Sequence, residues 1–210
     1  MDGSIGATRP RLPCAARRAR LCEEAARIFL RDGYAAASMN AVARAAGMSK
    51  RTLYQVFPSK AALFEQTITA AIAPIALDTA LAQESDLRRA LTGILMTAAE
   101  HLLAARQIGI FRLVIAERHR SPELAEVTLR VLTSRGASAL ERRLTAETET
   151  GRLRLDRPET AARMLYGMVL GSAQIRLLLG VRGPLEAAEL AELASSAVEI
   201  FLDGARTPGR

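Results

Sequence analysis

Apolar residues recur at helical spacing along most of the chain. Near the N-terminus, Leu21, Ala25, Ile28 and Phe29 follow one another at intervals of four, three and one residues, which places them on one face of a helix. Similar spacing returns in several longer segments, and no alternating pattern of the kind that marks a β-strand stands out. Alanine and leucine dominate while β-branched residues are sparse, so the pattern predicts an all-α protein.

Capping residues and glycine or proline stops divide this pattern into about nine helices. Ser38, Ser49 and Ser59 each precede a short apolar repeat, where a serine hydroxyl can accept a hydrogen bond from the first turn of a helix. Gly47 permits a sharp turn between two of these repeats. The predicted helices cover residues 15–32, 39–46, 50–57, 60–72, 86–105, 108–118, 121–150, 157–179 and 184–203.

Two short helices joined by a glycine-containing turn are typical of a helix-turn-helix. In the second of them, Lys50–Phe57, Leu53 and Phe57 stand four residues apart and are expected to pack inward. The remaining positions carry cations, hydroxyls and an amide near the helix N-terminus, where a recognition helix contacts base edges and phosphates. The predicted DNA-binding residues are Ser38, Ser49, Lys50, Arg51, Thr52, Tyr54, Gln55 and Lys60.

The side chains of this group differ in the contacts that their chemistry allows. Arg51 can form a bidentate contact to guanine, and Gln55 can read adenine. Tyr54 and Lys60 are suited to phosphate oxygens. Structural alternatives remain for two members, because Ser49 would cap a helix in any protein and Tyr54 could simply cover the edge of the core.

The net charge of +7 is concentrated at the N-terminal end of the chain. Residues 1–60 contain eleven Lys or Arg against four Asp or Glu, whereas residues 61–210 contain eighteen of each sign. This segregation favours a localised surface that binds a polyanion. Acidic membrane is the alternative to nucleic acid, but a membrane-surface helix would show a continuous basic stripe opposite bulky apolar residues. The short capped helices do not show one.

Several features favour a cytoplasmic protein. The longest uncharged runs, residues 66–77 and 164–175, hold twelve residues each, whereas a membrane-spanning helix needs roughly 20 apolar residues. The N-terminus has no apolar core of the signal-peptide kind. Cys14 and Cys22 match no zinc spacing, so we expect reduced thiols, with a redox sensor as the alternative. No metal or cofactor is expected.

An enzyme has little support from the sequence. The chain contains only two histidines, neither a Glu-x-x-His nor a His-Glu-x-x-His motif, and no glycine-rich phosphate loop. An all-helical enzyme that uses a single acid or base remains the alternative to a binding protein.

Residues 42–63, VARAAGMSKRTLYQVFPSKAAL, follow closely the pattern I-A-x-x-A-G-V-S-x-x-T-L-Y-x-x-F-x-S-K-x-x-L. This pattern is the core signature of TetR/AcrR-type transcriptional regulators, and residues 15–72 as a whole resemble their DNA-binding domain. Arg51 stands where many members carry glycine, which changes the bases that are read. Met48 in place of valine is a volume-tolerant exchange. The stretch FRLVIAERHRSPELAE, residues 111–126, resembles the AefR-like subgroup of this family.

The resemblance implies a homodimer that binds a palindromic operator through the helix Lys50–Phe57 and releases it when a small molecule binds. A repressor is expected on this basis, and a helix-turn-helix activator is the alternative. The implied organisation is a mobile basic tail (1–14), a DNA-binding domain (15–60) and a helical ligand-binding and dimerisation domain (61–210). Through a mobile arm, Arg9, Arg11, Arg17 and Arg18 are expected to add minor-groove or phosphate contacts.

The resemblance also implies that the last two helices form a four-helix bundle with those of a second subunit. Without it, two amphipathic helices at the end of a chain would more often pack within their own subunit. Small and apolar residues on these helices are candidates for the interface. The predicted interface residues are Leu165, Gly171, Leu179, Leu190, Leu193, Ala197 and Phe201.

Polar groups within otherwise apolar helices are candidates to line an effector cavity. Alternatives exist for some of them, since Arg112 could be a surface residue and the methionines could fill gaps in the core. The predicted pocket residues are Met96, His101, Phe111, Arg112, Met164, Tyr166 and Gln174.

Overall fold

A computed structural model of the chain describes residues 13–71, 77, 79–133, 138–181 and 183–205. These residues form eleven α-helices and no strand, which confirms the predicted all-α class. The helices are α1 (Cys14–Asp32), α2 (Met39–Ala45), α3 (Lys50–Val56), α4 (Lys60–Ala71), α5 (Thr79–Ala82), α6 (Leu87–Leu102), α7 (Ala105–Glu117), α8 (Pro122–Thr133), α9 (Ala139–Glu149), α10 (Pro158–Leu179) and α11 (Ala187–Ala205).

The helix count exceeds the predicted one at two places. α5 is a single turn, too short for its apolar period to be recognised. The segment 121–150, predicted as one helix, forms α8 and α9, and residues 134–137 between them lie outside the described residues. α9 begins at its own cap, because Ser138 Oγ accepts a hydrogen bond from the backbone N–H of Glu141 at 3.1 Å. Apolar periodicity on both sides of Ser138 concealed this start.

The chain divides into two compact units, residues 1–70 and 71–210. Most of α4 therefore belongs to the first unit, whereas the sequence placed it in the second domain. Aromatic packing explains the difference, since the ring centroid of Phe64 on α4 lies 5.4 Å from that of Phe29 and 5.3 Å from that of Tyr34. The predicted tail, residues 1–14, lies outside the described residues except for its last two.

The first unit is built around α1, which packs against α2, while α2 packs against α3. Its buried centre contains Leu21 and Phe29 of α1 together with Leu53 of α3 and Phe57 just after it. Because α3 contributes few buried residues of its own, these contacts hold it in place and leave its other faces free. The predicted inward packing of Leu53 and Phe57 is confirmed.

The second unit has a continuous apolar core. α11 packs against α6, α10 packs against α9, and both long helices pack against each other. Leu91 and Leu95 of α6, Leu144 of α9, Val169 of α10 and Ala194 of α11 are all buried in this core. The charged residues of these helices are left mainly on their outer faces.

The part of the chain that the structure describes was compared with two other kinds of protein, a metal-binding one and a membrane-spanning one. No cluster of His, Cys, Asp and Glu could hold a metal ion there, and no helix is long and apolar enough to cross a membrane. Cys14 is exposed and Cys22 is buried, and the structure shows no disulfide among the described residues.

Candidate nucleic-acid interface

The start of α3 is held by a serine cap. Ser49 Oγ accepts a hydrogen bond from the backbone N–H of Thr52 at 3.1 Å and lies 2.9 Å from the Thr52 hydroxyl. The cap satisfies one of the backbone N–H groups that a helix leaves unpaired at its first turn. Lys50 and Arg51 are therefore presented from a well-defined helix N-terminus, where the helix dipole adds to their positive charge.

The outward faces of α3 carry the side chains that the sequence selected for DNA contacts. Tyr54 is 42% exposed and therefore accessible, while its contact to DNA stays a prediction. The Lys50 ammonium lies 5.8 Å from the centroid of the Tyr54 ring. Thr52 is half-buried beneath them. The exposed side chains of the helix are Lys50, Arg51, Tyr54 and Gln55.

α2 and the turn that follows it complete the helix-turn-helix. Ser38 Oγ caps α2 by accepting a hydrogen bond from the backbone N–H of Ala41 at 3.1 Å. Gly47 in the turn has φ +67°, a conformation that L-residues with a side chain rarely adopt. The next backbone N–H, that of Met48, donates to the Ala43 carbonyl at 2.8 Å. The predicted glycine turn and Ser38 cap are thus present.

Two exposed polar residues on α2 were missed by the sequence reasoning. Asn40 and Arg44 lie one turn apart and, together with Lys50, line an open hollow of about 350 Å³ between α2 and α3. They place a guanidinium and an amide beside the start of the predicted recognition helix. The helical spacing of the sequence could have identified them, because both fall on the face of α2 opposite the buried Val42.

The arginines of the first unit differ in how far they are neutralised. Arg31 Nε lies 2.6 Å from Asp32 Oδ1. That hydrogen-bonded pair lowers the pKa of the Asp32 carboxyl below its ordinary value and raises the pKa of Arg31. In contrast, Arg44 and Arg51 have no carboxylate partner within the described residues. Positive charge that is free to bind an anion is therefore present on α2 and α3.

Lys60 has structural partners that the sequence did not predict. Its Nζ donates a hydrogen bond to the Ala35 carbonyl at 3.0 Å and lies 4.5 Å from the centroid of the Tyr34 ring. The side chain is half-buried. It joins the start of α4 to the segment between α1 and α2, and its contact to a DNA phosphate stays a prediction.

Two of the predicted pocket residues, Arg112 and Met164, lie on the surface of the second unit. Arg112 Nε donates to the Leu178 carbonyl at 3.0 Å, and its Nη2 donates to the Leu177 carbonyl. Arg112 therefore caps the C-terminal end of α10, where the helix dipole favours a cation. Met164 is exposed on α10. Both side chains are exposed, and their place in an effector pocket stays a prediction.

The other predicted pocket residues are half-buried. His101 Nε2 lies 3.1 Å from the Ala71 carbonyl oxygen, so its ring is bonded to the end of α4. A partly open cavity of about 300 Å³ lies elsewhere, between α10 and α11, with Arg176, Leu177 and Glu192 among its lining residues. The remaining half-buried members of the predicted set are Met96, Phe111, Tyr166 and Gln174.

The predicted dimer residues divide into two groups. Leu165, Leu190 and Ala197 are buried in the core of their own unit, so their assignment to an interface is wrong. Leu179 is exposed and Gly171, Leu193 and Phe201 are half-buried. The phase of the helix explains the error, because α10 has apolar residues on two neighbouring faces and the sequence alone does not say which face is covered.

The outer side of α10 carries a row of apolar side chains that sequence reasoning mostly missed. These residues recur at intervals of four, seven and four positions, which places them on one helix face. Monomeric soluble proteins rarely expose a contiguous apolar surface of this kind. The row, called here the α10 outer face, consists of Met164, Met168, Ile175 and Leu179.

Comparison with protein families finds two matches that together cover most of the chain. Residues 21–67 match the model of the bacterial regulatory proteins of the tetR family. Residues 89–204 match the C-terminal domain of AefR-like transcriptional repressors. A search of curated proteins found no match.

Solved structures with the same fold align over nearly the full chain. A protein from Mesorhizobium loti MAFF303099, described as a TetR-family transcriptional regulator, is 23% identical with a TM-score of 0.80, covering 94% of this chain and 100% of its own. A TetR transcriptional regulator from Agrobacterium tumefaciens is 25% identical with a TM-score of 0.71, covering 91% and 95%. The flavonoid-responsive regulator FrrA is 24% identical with a TM-score of 0.70, covering 93% and 100%.

Proposed function

This chain belongs to the TetR family of transcriptional regulators, whose members are not enzymes, and we propose that it is a dimeric repressor that dissociates from DNA when a small molecule binds. α3 enters the major groove of a palindromic operator in this proposal, and the second unit holds the effector. The protein acts in the cytoplasm, where its operator is accessible.

The single observation that carries the DNA-binding role is the composition of the exposed side of α3. A capped helix N-terminus presents Lys50 and Arg51, followed by Tyr54 and Gln55, while Leu53 is buried beneath them. Recognition helices read base edges with residues near their N-termini. Arg51 is assigned to guanine and Gln55 to adenine, because these side chains match the major-groove edges of those bases.

The backbone contacts are assigned to the groups that surround α3. Ser38, Ser49, Thr52 and Tyr54 offer hydroxyls, and phosphate oxygens accept hydrogen bonds from such groups. Arg44, identified from the structure, adds a cation at the hollow between α2 and α3. Phosphate contacts of this kind position the protein and contribute little to sequence preference.

Dimerisation is supported by the α10 outer face. Its apolar side chains are exposed in the single chain, and a second copy of the same face would cover them in an isologous, two-fold interface. A dimer also meets a requirement of DNA recognition, because one short helix contacts too few base pairs to find one site among the competing sites of a genome.

Repression and effector release rest on the comparisons. The larger family match is to the C-terminal domain of AefR-like repressors, and FrrA is described as flavonoid-responsive. A ligand that binds the DNA-free conformation better than the DNA-bound one shifts the population away from the operator. This is the response that we assign to the second unit.

Selection of bound fragments from the source genome tests the proposal. The protein is expected to enrich a palindromic sequence whose half-sites are about one helical turn apart, or a multiple of it. Enrichment without any shared sequence would contradict operator recognition. Enrichment of a single half-site without symmetry would contradict the dimer while leaving DNA recognition intact.

A further inference from the structure

One face of α7 has an unusual order of side chains. Gln107, Ile110, Val114 and Glu117 recur at intervals of three, four and three residues, and all four are buried. Two apolar residues thus lie between two polar ones along a single buried stripe. We call it the α7 stripe. α7 packs against α6, α8 and α10, so the stripe belongs to the interior of the second unit.

Both polar ends of the α7 stripe contain an unpaired acceptor. Gln107 is 6% exposed and Glu117 is 8% exposed, and within the described residues neither Gln107 Oε1 nor Glu117 Oε2 has a hydrogen-bond partner. Leaving a buried polar atom unpaired is costly, and more so for a carboxylate. The other buried glutamate of this unit has cationic partners: Glu147 Oε1 lies 2.7 Å from Arg143 Nε and Glu147 Oε2 lies 2.7 Å from Arg152 Nε, although Oε2 makes no hydrogen bond within the described residues.

The spacing of the two acceptors limits the length of a ligand that could donate a hydrogen bond to each of them. Gln107 and Glu117 stand ten positions apart on α7, which corresponds to about 15 Å between the two residues along the helix axis. Ile110 and Val114 lie between, so the middle of a matching ligand is apolar. A carboxylate at one end and an amide oxygen at the other both accept hydrogen bonds, and the carboxylate favours a cation.

Gln107 also connects the α7 stripe to α4. Its Nε2 donates a hydrogen bond to the Ala71 carbonyl at 2.9 Å, and the same oxygen is 3.1 Å from His101 Nε2. Ala71 is the last residue of α4, whose other end begins at Lys60 in the first unit. Both acceptors are closed off from solvent, so a ligand reaches them only if α7 moves.

We infer that the effector is an elongated, apolar molecule with hydrogen-bond donors at both ends and a cationic group at the end that meets Glu117. The molecule lies along the α7 stripe, with its second donor at Gln107 Oε1. This inference rests on the proposed effector response and names the chemical class of the ligand.

Three probes of one chain length test the ligand class on the unmodified protein without DNA. 1,10-Diaminodecane carries a cationic donor at each end, decane-1,10-diol carries neutral donors and decanedioic acid is a dianion. Isothermal titration calorimetry is expected to show that the diamine binds most tightly, the diol more weakly, and the diacid not at all. Failure of the diamine to bind, or binding of the diacid with equal affinity, overturns the inference.

Glu117→Gln locates the binding site. It keeps the shape of the side chain and removes its charge, so affinity for the diamine is expected to fall about 10- to 100-fold, the worth of a hydrogen bond to a charged group. Glu126→Gln, an exposed position on α8, is the matched control and is expected to leave affinity unchanged. If Glu117→Gln and the unmodified protein bind the diamine with equal affinity, the placement of the ligand at Glu117 is overturned. Duplex binding, measured separately on the ligand-free protein, reports on the proposed function and not on the ligand.

Discussion

The Ser49 hydroxyl oxygen and the Thr52 backbone nitrogen are 3.1 Å apart, joined by a hydrogen bond that defines the first turn of α3. This contact links protein stability to DNA binding, because the residues assigned to the bases start at the same turn. Ser49→Ala is expected to lower the free energy of unfolding by about 1 kcal/mol and to weaken duplex binding as well.

Ser138→Ala is the matched control for the α3 cap. Ser138 makes the same kind of cap at the start of α9, in the second unit. Chemical denaturation should show a similar loss of stability for both variants, whereas an anisotropy titration should show weaker DNA binding for Ser49→Ala alone. Equal DNA affinity of the two variants would mean that the cap of α3 has no part in binding.

Arg51 is the residue whose removal should change base preference. Arg51→Ala is expected to weaken binding to the selected operator by about 1–3 kcal/mol, because a bidentate contact to guanine is lost. Arg106→Ala, which removes an exposed arginine from α7 in the second unit, should leave that affinity unchanged. Comparison of both variants on the operator and on duplexes with single base-pair changes locates the contacted pair.

Lys60 combines a predicted phosphate contact with an observed structural one. Lys60→Ala should flatten the dependence of log affinity on log salt concentration by about one unit. It should also lower the free energy of unfolding by about 1 kcal/mol, because the bond to Ala35 and the contact with the Tyr34 ring are lost.

Lys50→Ala removes the same charge from an exposed position on α3. It should flatten the salt dependence similarly with little change in stability. If Lys60→Ala reduced stability while its salt dependence stayed that of the unmodified protein, the phosphate role of Lys60 would be wrong and only the structural one would remain.

The α10 outer face predicts which surface joins two copies of the chain. Ile175 on this face is 59% exposed and Ile115 on α7 is 54% exposed, so the two positions are closely matched. Ile175→Glu should convert the dimer to a monomer, since two copies of the new charge would be buried near the two-fold axis. Ile115→Glu should remain dimeric. Analytical ultracentrifugation distinguishes the two, and a dimeric Ile175→Glu protein would exclude this face.

Glu147 provides a prediction about the stability of the second unit. Its carboxylate is buried and lies 2.7 Å from the Nε atoms of Arg143 and Arg152. Glu147→Ala leaves two guanidinium groups without their partner, one of them largely buried, so stability should fall by about 3–5 kcal/mol. Glu149→Ala, an exposed position on the same helix, should change it little in thermal and chemical unfolding. Similar midpoints for the two variants would show that the ion pairs do not contribute.

The helix-turn-helix was readable from the sequence because its determinants are local. The Ser38 and Ser49 caps act within three residues, and Gly47 needs no distant partner to favour a left-handed turn. The spacing of Leu53 and Phe57 then assigned the buried side of α3. Each of these signals is contained in a single turn of chain, which is why the predicted exposed residues of α3 agree with the structure.

The second unit was less predictable because its decisive contacts are remote in sequence. Arg112 caps a helix that ends 65 or more residues later, and no local pattern indicates that contact. Leu165 is buried and Ile175 is exposed on neighbouring faces of α10, yet both faces are apolar, so periodicity could not say which one packs into the core. The hydrogen bond between Gln107 and Ala71 likewise joins residues 36 positions apart, and no local pattern indicates it.

The most direct test of DNA recognition by α3 is an anisotropy titration of the unmodified protein against its selected duplex and a scrambled duplex at several salt concentrations. The scrambled duplex should bind about 10³-fold or more weakly, and affinity for both should fall steeply as salt rises. Equal affinity for the two duplexes, or binding that does not respond to salt, would contradict sequence recognition by the exposed side of α3.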